Sequence, residues 1–292
     1  MNLKDFLFSY NQAIKVDVIK KKYLKAFRKV FNYPYKFILD KIREFYLIKK
    51  VNLDKKKNTE IFNKMSFDEL FVNFNSDKAS KFIINRQIID GHNYSPFYKK
   101  YFHKFKNKED LKILEIGSLR GAATASFFYY FNKPQITCVD INPFQIQVFS
   151  KNIRSIYIDT QSKEVLKNLN DYLDQDFDII IDDGSHNIRD QIITFNVFFK
   201  RLKKDGIYVI EDSSQYLSAV HLNSDNLSYG SKEILSSVKN NQLDKIKYLS
   251  DDDIGILTKM IGNIFLEKGN FVENNINISE IIFIEKNSIK IV

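Results

Sequence analysis

Cysteine is almost missing from this 292-residue chain: Cys138 stands alone. A single thiol closes no intramolecular disulfide and builds no zinc cluster, so a reducing compartment is expected. No apolar run approaches the roughly 18 residues of a membrane span, and MNLKDFLFSYNQAIKVD lacks the uninterrupted apolar core of a signal peptide. A cytoplasmic protein with no stable membrane insertion is expected. Internal repeats are lacking too. Arginine is scarce, at 7 residues against 38 lysines. Bidentate reading of phosphates and bases favours arginine, so the formal charge of +9 argues for a solvated lysine-rich face and no nucleic-acid partner. Residues 1–60 hold 16 Lys and Arg against 6 Asp and Glu, so the surplus belongs to this segment and the rest of the chain is near neutral.

At 44% hydrophobic residues the chain can bury a sizeable core. Val18, Tyr23, Leu24, Phe27, Val30 and Phe31 recur at helical spacing. Pro34 interrupts, and Phe37, Ile38, Ile42, Phe45 and Tyr46 resume the pattern. The spacing predicts two or three helices in residues 1–60, serving packing or homo-oligomer contacts. The lysine-rich stretch 54–58 reads as a linker, which divides the chain into a basic helical extension, 1–60, and a main domain, 61–292. From residue 111 strands alternate with helices. The strands are KILEIG (112–117), QITCVDI (135–141), RSIYID (154–159), FDIIIDD (177–183) and GIYVIED (206–212), with SEIIFIEKN (279–287) as a last strand. Helices are expected near 120–131, 143–151, 161–173 and 187–203, while 213–278 reads as less regular. This alternation predicts an α/β fold, a doubly wound, Rossmann-like, mostly parallel sheet with ligands at the carboxyl ends of its strands.

Acidic residues crowd those ends: Glu115, Asp140, Asp159, Asp182 with Asp183, and Glu211 with Asp212. One acidic strand end is a helix cap or a turn; five on one rim exceed what capping explains. The loop LEIGSLRGAA opens a helix with Gly117 and Gly121 around Ser118 and Arg120. Its G-x-x-x-G spacing departs from the G-x-G-x-x-G of a dinucleotide site, and the core offers no Tyr-x-x-x-Lys pair, which together disfavour a nicotinamide dehydrogenase. Asp140 lies 23 residues beyond Gly117, where an acid can accept hydrogen bonds from ribose hydroxyls. Three carboxylates, Asp183, Glu211 and Asp212, at the ends of neighbouring strands form a hard oxygen set suited to Mg²⁺ or Mn²⁺.

E-x-G-x-x-x-G followed by an acidic end to the second strand resembles the class I S-adenosylmethionine-dependent methyltransferases, over roughly residues 90–215. The resemblance implies a seven-stranded sheet. It places the methionine part of the cofactor on Glu115, Gly117, Ser118 and Gly121, the ribose on Asp140 and the adenine near Asp159. IIIDDGSH with a later Gln and Phe, then GIYVIED, resembles the metal-dependent sugar O-methyltransferases of the mycinamicin and macrocin type. That likeness implies Asp183, Glu211 and Asp212 as metal ligands, His186 as general base and Asp182 near the cofactor's amino group. SDK (76–78) and HNY (92–94) resemble further pieces lining the site. Where the family has G-D-Q after the third strand, this chain has IDTQ (158–161): Asp159 and Gln161 are present, with an extra Thr160 between them, a departure that bears on the adenine contact.

The implied chemistry is O-methylation of a sugar hydroxyl, the metal acidifying the hydroxyl and His186, of a residue type titrating near about 6.5, taking its proton. Association with the family points to a nucleotide-linked heptose or hexose of capsule or lipopolysaccharide synthesis as acceptor. A non-sugar acceptor of macrolide or catechol type, or a non-catalytic binding protein using the basic N-terminus as an arm, are the alternatives. Cys138, inside a strand, is expected in the core.

Overall fold

Short β-branched runs alternating with amphipathic helices build a sheet covered on both faces. The computed structural model describes residues 1–46, 48–273 and 275–287. Its central sheet has strands β1 (Lys112–Ile116), β2 (Gln135–Asp140), β3 (Ile153–Tyr157), β4 (Phe177–Asp182), β5 (Leu202–Ile210), β6 (Ile261–Lys268) and β7 (Glu280–Lys286). Their order across the sheet is β6-β7-β5-β4-β1-β2-β3. The five strands from β5 to β3 run parallel, while β7 is antiparallel to β5 and β6 antiparallel to β7. The chain reverses its direction of travel between β1 and β4, and that switch point opens the crevice where ligands bind in such sheets.

Besides a short helix over Lys56–Phe62, the helices are α1 (Leu3–Ile19), α2 (Tyr23–Tyr46), α3 (Phe67–Asn73), α4 (Ser95–Phe102), α5 (Ala122–Tyr130), α6 (Lys163–Tyr172), α7 (Ile188–Phe198), α8 (Ser231–Lys239) and α9 (Asp251–Met260). One face of the sheet packs an aromatic core of Phe67, Phe71, Tyr98, Phe102 and Phe127. The other packs Leu166, Ile192, Phe195 and Leu235. Cys138 is fully buried. Helix α1 docks on the β3 edge: Phe6, Ala13 and Val16 cluster with Tyr157 and Val165, Arg154 pairs with the buried Asp5 at 2.9 Å, and the Tyr157 N–H donates to Ser9 Oγ at 2.9 Å. No helix among the described residues is long and apolar enough to cross a membrane.

Four sequence expectations need correction. Residues 143–151 are not helical. Phe144, Ile146 and Val148 are buried while Gln145 and Gln147 are not, a period of two, and Val148–Phe149 pairs in parallel with Val51–Asn52. Pro34 does not interrupt α2. The carbonyl four residues earlier, on Val30, loses its helical donor and instead accepts the Tyr10 hydroxyl at 3.5 Å. The 54–58 stretch is docked rather than a free linker: Leu53 is fully buried, Asp54 accepts from Ser150 Oγ (2.9 Å) and Lys151 N (3.1 Å), and a helix starts at Lys56. The 213–278 region holds α8, α9 and β6. The last supplies the sheet's seventh strand, its apolar pattern broken by Gly262 and Asn263. Of the main domain expected for 61–292, positions 274 and 288–292 lie outside the described residues.

Candidate active site

The turn after β1 is set by glycine. Gly117 has φ +85°, and a Cβ there would collide with the Asp183 carbonyl. Gly117 N–H donates to the Val139 carbonyl at 2.8 Å, so the loops after β1, β2 and β4 meet at one point. Gly121, φ +84°, opens α5 where a Cβ would press on Ile146 and Val148. Asp140, at the end of β2, accepts the Leu119 N–H at 2.9 Å and the Asn142 N–H at 2.8 Å. Each carboxylate oxygen thus holds one backbone donor and keeps a lone pair for a further one. A cavity of about 150 Å³ lies beside it, walled by Gly117, Asp140, Ile158, Asp159, Thr160 and Gln161.

Asp159 is almost fully buried. Its carboxylate takes the Gln161 N–H at 3.1 Å and the Lys20 ammonium at 2.7 Å. Lys20 follows the last turn of α1, so the N-terminal helices reach one wall residue of this cavity, a contact no local pattern announced. Ser118 and Glu115 line a second cavity of about 590 Å³ on the other side of Gly117, together with Lys78, Arg120 and Asp183. Burial pushes the Glu115 carboxyl up to about 7, although the Thr124 hydroxyl donates to it. Asp182 is not among the residues that line either cavity. It accepts the Tyr208 hydroxyl at 3.3 Å and the Gly184 N–H at 3.2 Å, and burial pushes it to about 7.

The carboxylates after β4 and β5 converge. Lys78, from the SDK stretch, places its buried ammonium 2.5 Å from Asp183 and 2.8 Å from Glu211, with Asp77 at 3.6 Å. Burial alone would lower the lysine's pKa; Asp183 and Glu211 outweigh it and hold it well above its ordinary value. Burial in turn raises both acids, and the Asp183 charge pushes Glu211 further up. Glu211 also accepts the Tyr98 hydroxyl. Asp212, left-handed at φ 52°, accepts from Tyr94 at 2.6 Å and Gln215 at 3.1 Å, and lies 3.2 Å from His92 Nδ1. The same Nδ1 lies 2.8 Å from Ser279 Oγ.

His186, also left-handed at φ 55°, directs Nε2 to within 3.8 Å of Asp183. Its Nδ1 is buried with no hydrogen-bond partner. Ligand atoms of Asp183, His186 and Asp212 lie within 4.8 Å of one another. Glu211 is adjacent but turned onto Lys78 and Tyr98. Against one ammonium stand Asp77, Asp183, Glu211 and Asp212. Surplus carboxylate and an orphaned imidazole nitrogen fit a divalent cation with oxygen preference. The SDK and HNY stretches therefore meet the acidic ends, as their resemblance implied. Tyr98 was missed, and its only signal is its position four residues after Tyr94 on one face of α4.

Residues 107–267 match the family model described as a methyltransferase domain. Mycinamicin VI 2''-O-methyltransferase of Micromonospora griseorubida is 30% identical over 128 residues, 41% of this chain and 31% of that protein. Over the same length, the 8-demethyl-8-alpha-L-rhamnosyl tetracenomycin-C 2'-O-methyltransferase of Streptomyces olivaceus is 27% identical, covering 41% of this chain and 33% of that protein. The match thus spans about a third of the length of these curated relatives. In fold the chain is similar to the MycE methyltransferase solved with Mg, SAH and mycinamycin VI, at TM-score 0.55 and 22% identity, over 77% of this chain and 56% of that one.

Proposed function

Because this chain belongs to the methyltransferase-domain family, we propose that it transfers a methyl group from S-adenosylmethionine to a sugar hydroxyl with the help of Mg²⁺ or Mn²⁺. The observation that carries this reading is the meeting of Asp183, His186 and Asp212 within 4.8 Å, across Gly117 from the Asp140 cavity. The names of the relatives, sugar 2'- and 2''-O-methyltransferases, support an oxygen of a sugar as acceptor. The finer reading is a nucleotide-linked heptose or hexose used for capsule or lipopolysaccharide in the cytoplasm.

In this reading Asp140 accepts the ribose hydroxyls with its two remaining lone pairs. Asp159, fixed by Lys20, bounds the adenine end. Glu115, Gly117, Ser118 and Gly121 shape the methionine end. Asp182, which accepts the Gly184 N–H and the Tyr208 hydroxyl, sits near the cofactor's amino group. Asp183, Glu211 and Asp212 would hold the ion, and the Lys78 ammonium lies against the first two. A bound divalent ion supplies acidity to the acceptor hydroxyl. His186 takes the proton, its ring oriented beside Asp183 so that the imidazolium formed is stabilised. Tyr94 and Tyr98 orient the carboxylates by donating to them, and His92 stands 3.2 Å from Asp212. Positioning then does the remaining work, since transfer in line needs no covalent enzyme intermediate.

Calorimetry with S-adenosylmethionine and with NAD, followed by mass spectrometry of a panel of sugars and nucleotide sugars, tests the reading. Binding of the sulfonium cofactor and gain of one methyl by a sugar are expected. NAD binding without S-adenosylmethionine binding would overturn it.

A further inference from the structure

A third cavity, of about 530 Å³, lies between α2 and the 142–147 loop. Four cationic side chains line it: Lys36 and Arg43 from α2, Lys49 just beyond it, and Arg120 from the loop between the two glycines. Among the described residues none of the four pairs with a carboxylate. Lys50, also in the wall, is by contrast spent on the buried Asp40, 2.9 Å away. The chain has only seven arginines, yet two of them, 77 positions apart in sequence, meet here. A lysine-rich solvated face would spread its charge along one helix; this set converges from three segments on one concavity. Uncompensated cations around a concave wall focus a positive potential, and guanidinium groups suit phosphate oxygens.

The cavity also borders the one that holds the acidic site. Arg120, Gln145 and Gln147 line both it and the 590 Å³ cavity that contains Asp183. We infer that this basic cleft binds the phosphate or diphosphate group of the methyl acceptor, holding the attached sugar toward Asp183 and His186. The inference rests on the proposed sugar methylation and deepens it: the acceptor is a sugar phosphate ester rather than an uncharged glycoside. It also gives the basic N-terminal helices a place in substrate recognition.

Titrating the full chain calorimetrically with inorganic pyrophosphate, uridine diphosphate and guanosine diphosphate tests this. Saturable pyrophosphate binding is expected, weakened three- to tenfold by Lys36→Gln or Arg43→Gln and more than tenfold by the pair. Lys204→Gln, an equal loss of charge at the amino-terminal end of β5, should leave it within twofold. A nucleoside diphosphate that binds more tightly than pyrophosphate assigns a nucleotide-linked sugar. Equal affinities assign a diphosphate on another carrier, such as a lipid. Absence of pyrophosphate binding, or equal weakening by Lys204→Gln, overturns the cleft. Lys36 is exposed, so its substitution keeps the test available if Arg43→Gln does not fold. Loss of S-adenosylmethionine binding would sink the methyltransfer reading without touching the anion titration, so the two failures are distinguishable.

Discussion

The ammonium of Lys78 lies 2.5 Å from the carboxylate of Asp183, joining a loop before the main sheet to the end of β4. It touches Glu211 as well, and is the cation that tempers this acidic corner. Removing one partner of a buried ionic cluster typically costs about 3–5 kcal/mol, because uncompensated charge is left behind. Lys78→Met should therefore be strongly destabilised in EDTA. Added Mg²⁺ should raise its melting temperature more than that of the parent, since the ion then supplies the missing charge. Equal shifts in both proteins would mean that no ion binds these carboxylates.

Chelation gives the second prediction. Treatment with EDTA should abolish methyl transfer, while S-adenosylhomocysteine affinity, carried by Asp140 and the glycine loop, stays within a few-fold. Mg²⁺ or Mn²⁺ should restore turnover. Full activity in EDTA would remove the metal from the mechanism.

The third concerns His186. Losing a general base costs roughly 10²–10⁴-fold in turnover. His186→Ala should fall in that range with both substrates still bound. A variant within a few-fold of the parent would return the segment after β4 to a turn with no chemical part.

Much of this was legible because strands and their carboxyl ends are local patterns. The run Ile179-Ile180-Ile181 announces a strand buried on both faces, and Asp183 and Glu211 follow their strands directly. What was illegible is what arrives from far away in sequence. Lys20 reaches Asp159 across 139 positions, and Tyr98 reaches Glu211 across 113. The turn of Glu211 onto Lys78 and Tyr98, leaving His186 nearer to Asp183 and Asp212, follows from that packing. Segment 143–151 was misread because six polar or aromatic residues between two strands suit a crossover helix. Its burial alternates instead, and its Val148 closes against Gly121.

Asp140 gives the fourth prediction. A hydrogen bond to a charged group contributes about 1.5–3 kcal/mol. Asp140→Ala should weaken S-adenosylhomocysteine binding by roughly ten- to a hundredfold in calorimetry. Unchanged affinity would leave the carboxylate as a cap for Leu119 and Asn142 alone.

The last prediction is a pH dependence of stability rooted in Glu115. Its carboxyl, fully enclosed beside Thr124 and Cys138, is pushed up from an ordinary 4.5 to about 7 by burial. The folded protein therefore holds this proton over a range in which the unfolded chain has released it. Below about 4.5 both states are protonated and the stabilisation is complete. Between about 4.5 and 7 the unfolded chain binds fewer protons, so stability falls as pH rises; above 7 the loss is complete. A shift of this size corresponds to about 3 kcal/mol at most. Glu115→Gln keeps the size and an acceptor for the Thr124 hydroxyl but cannot ionise. Denaturant unfolding of the two proteins at pH 4.5, 6 and 8 should show the variant gaining on the parent as pH rises, by an amount up to that limit. A constant difference across the range would mean that Glu115 is already ionised in the folded state at pH 6, held by a partner other than those around it here.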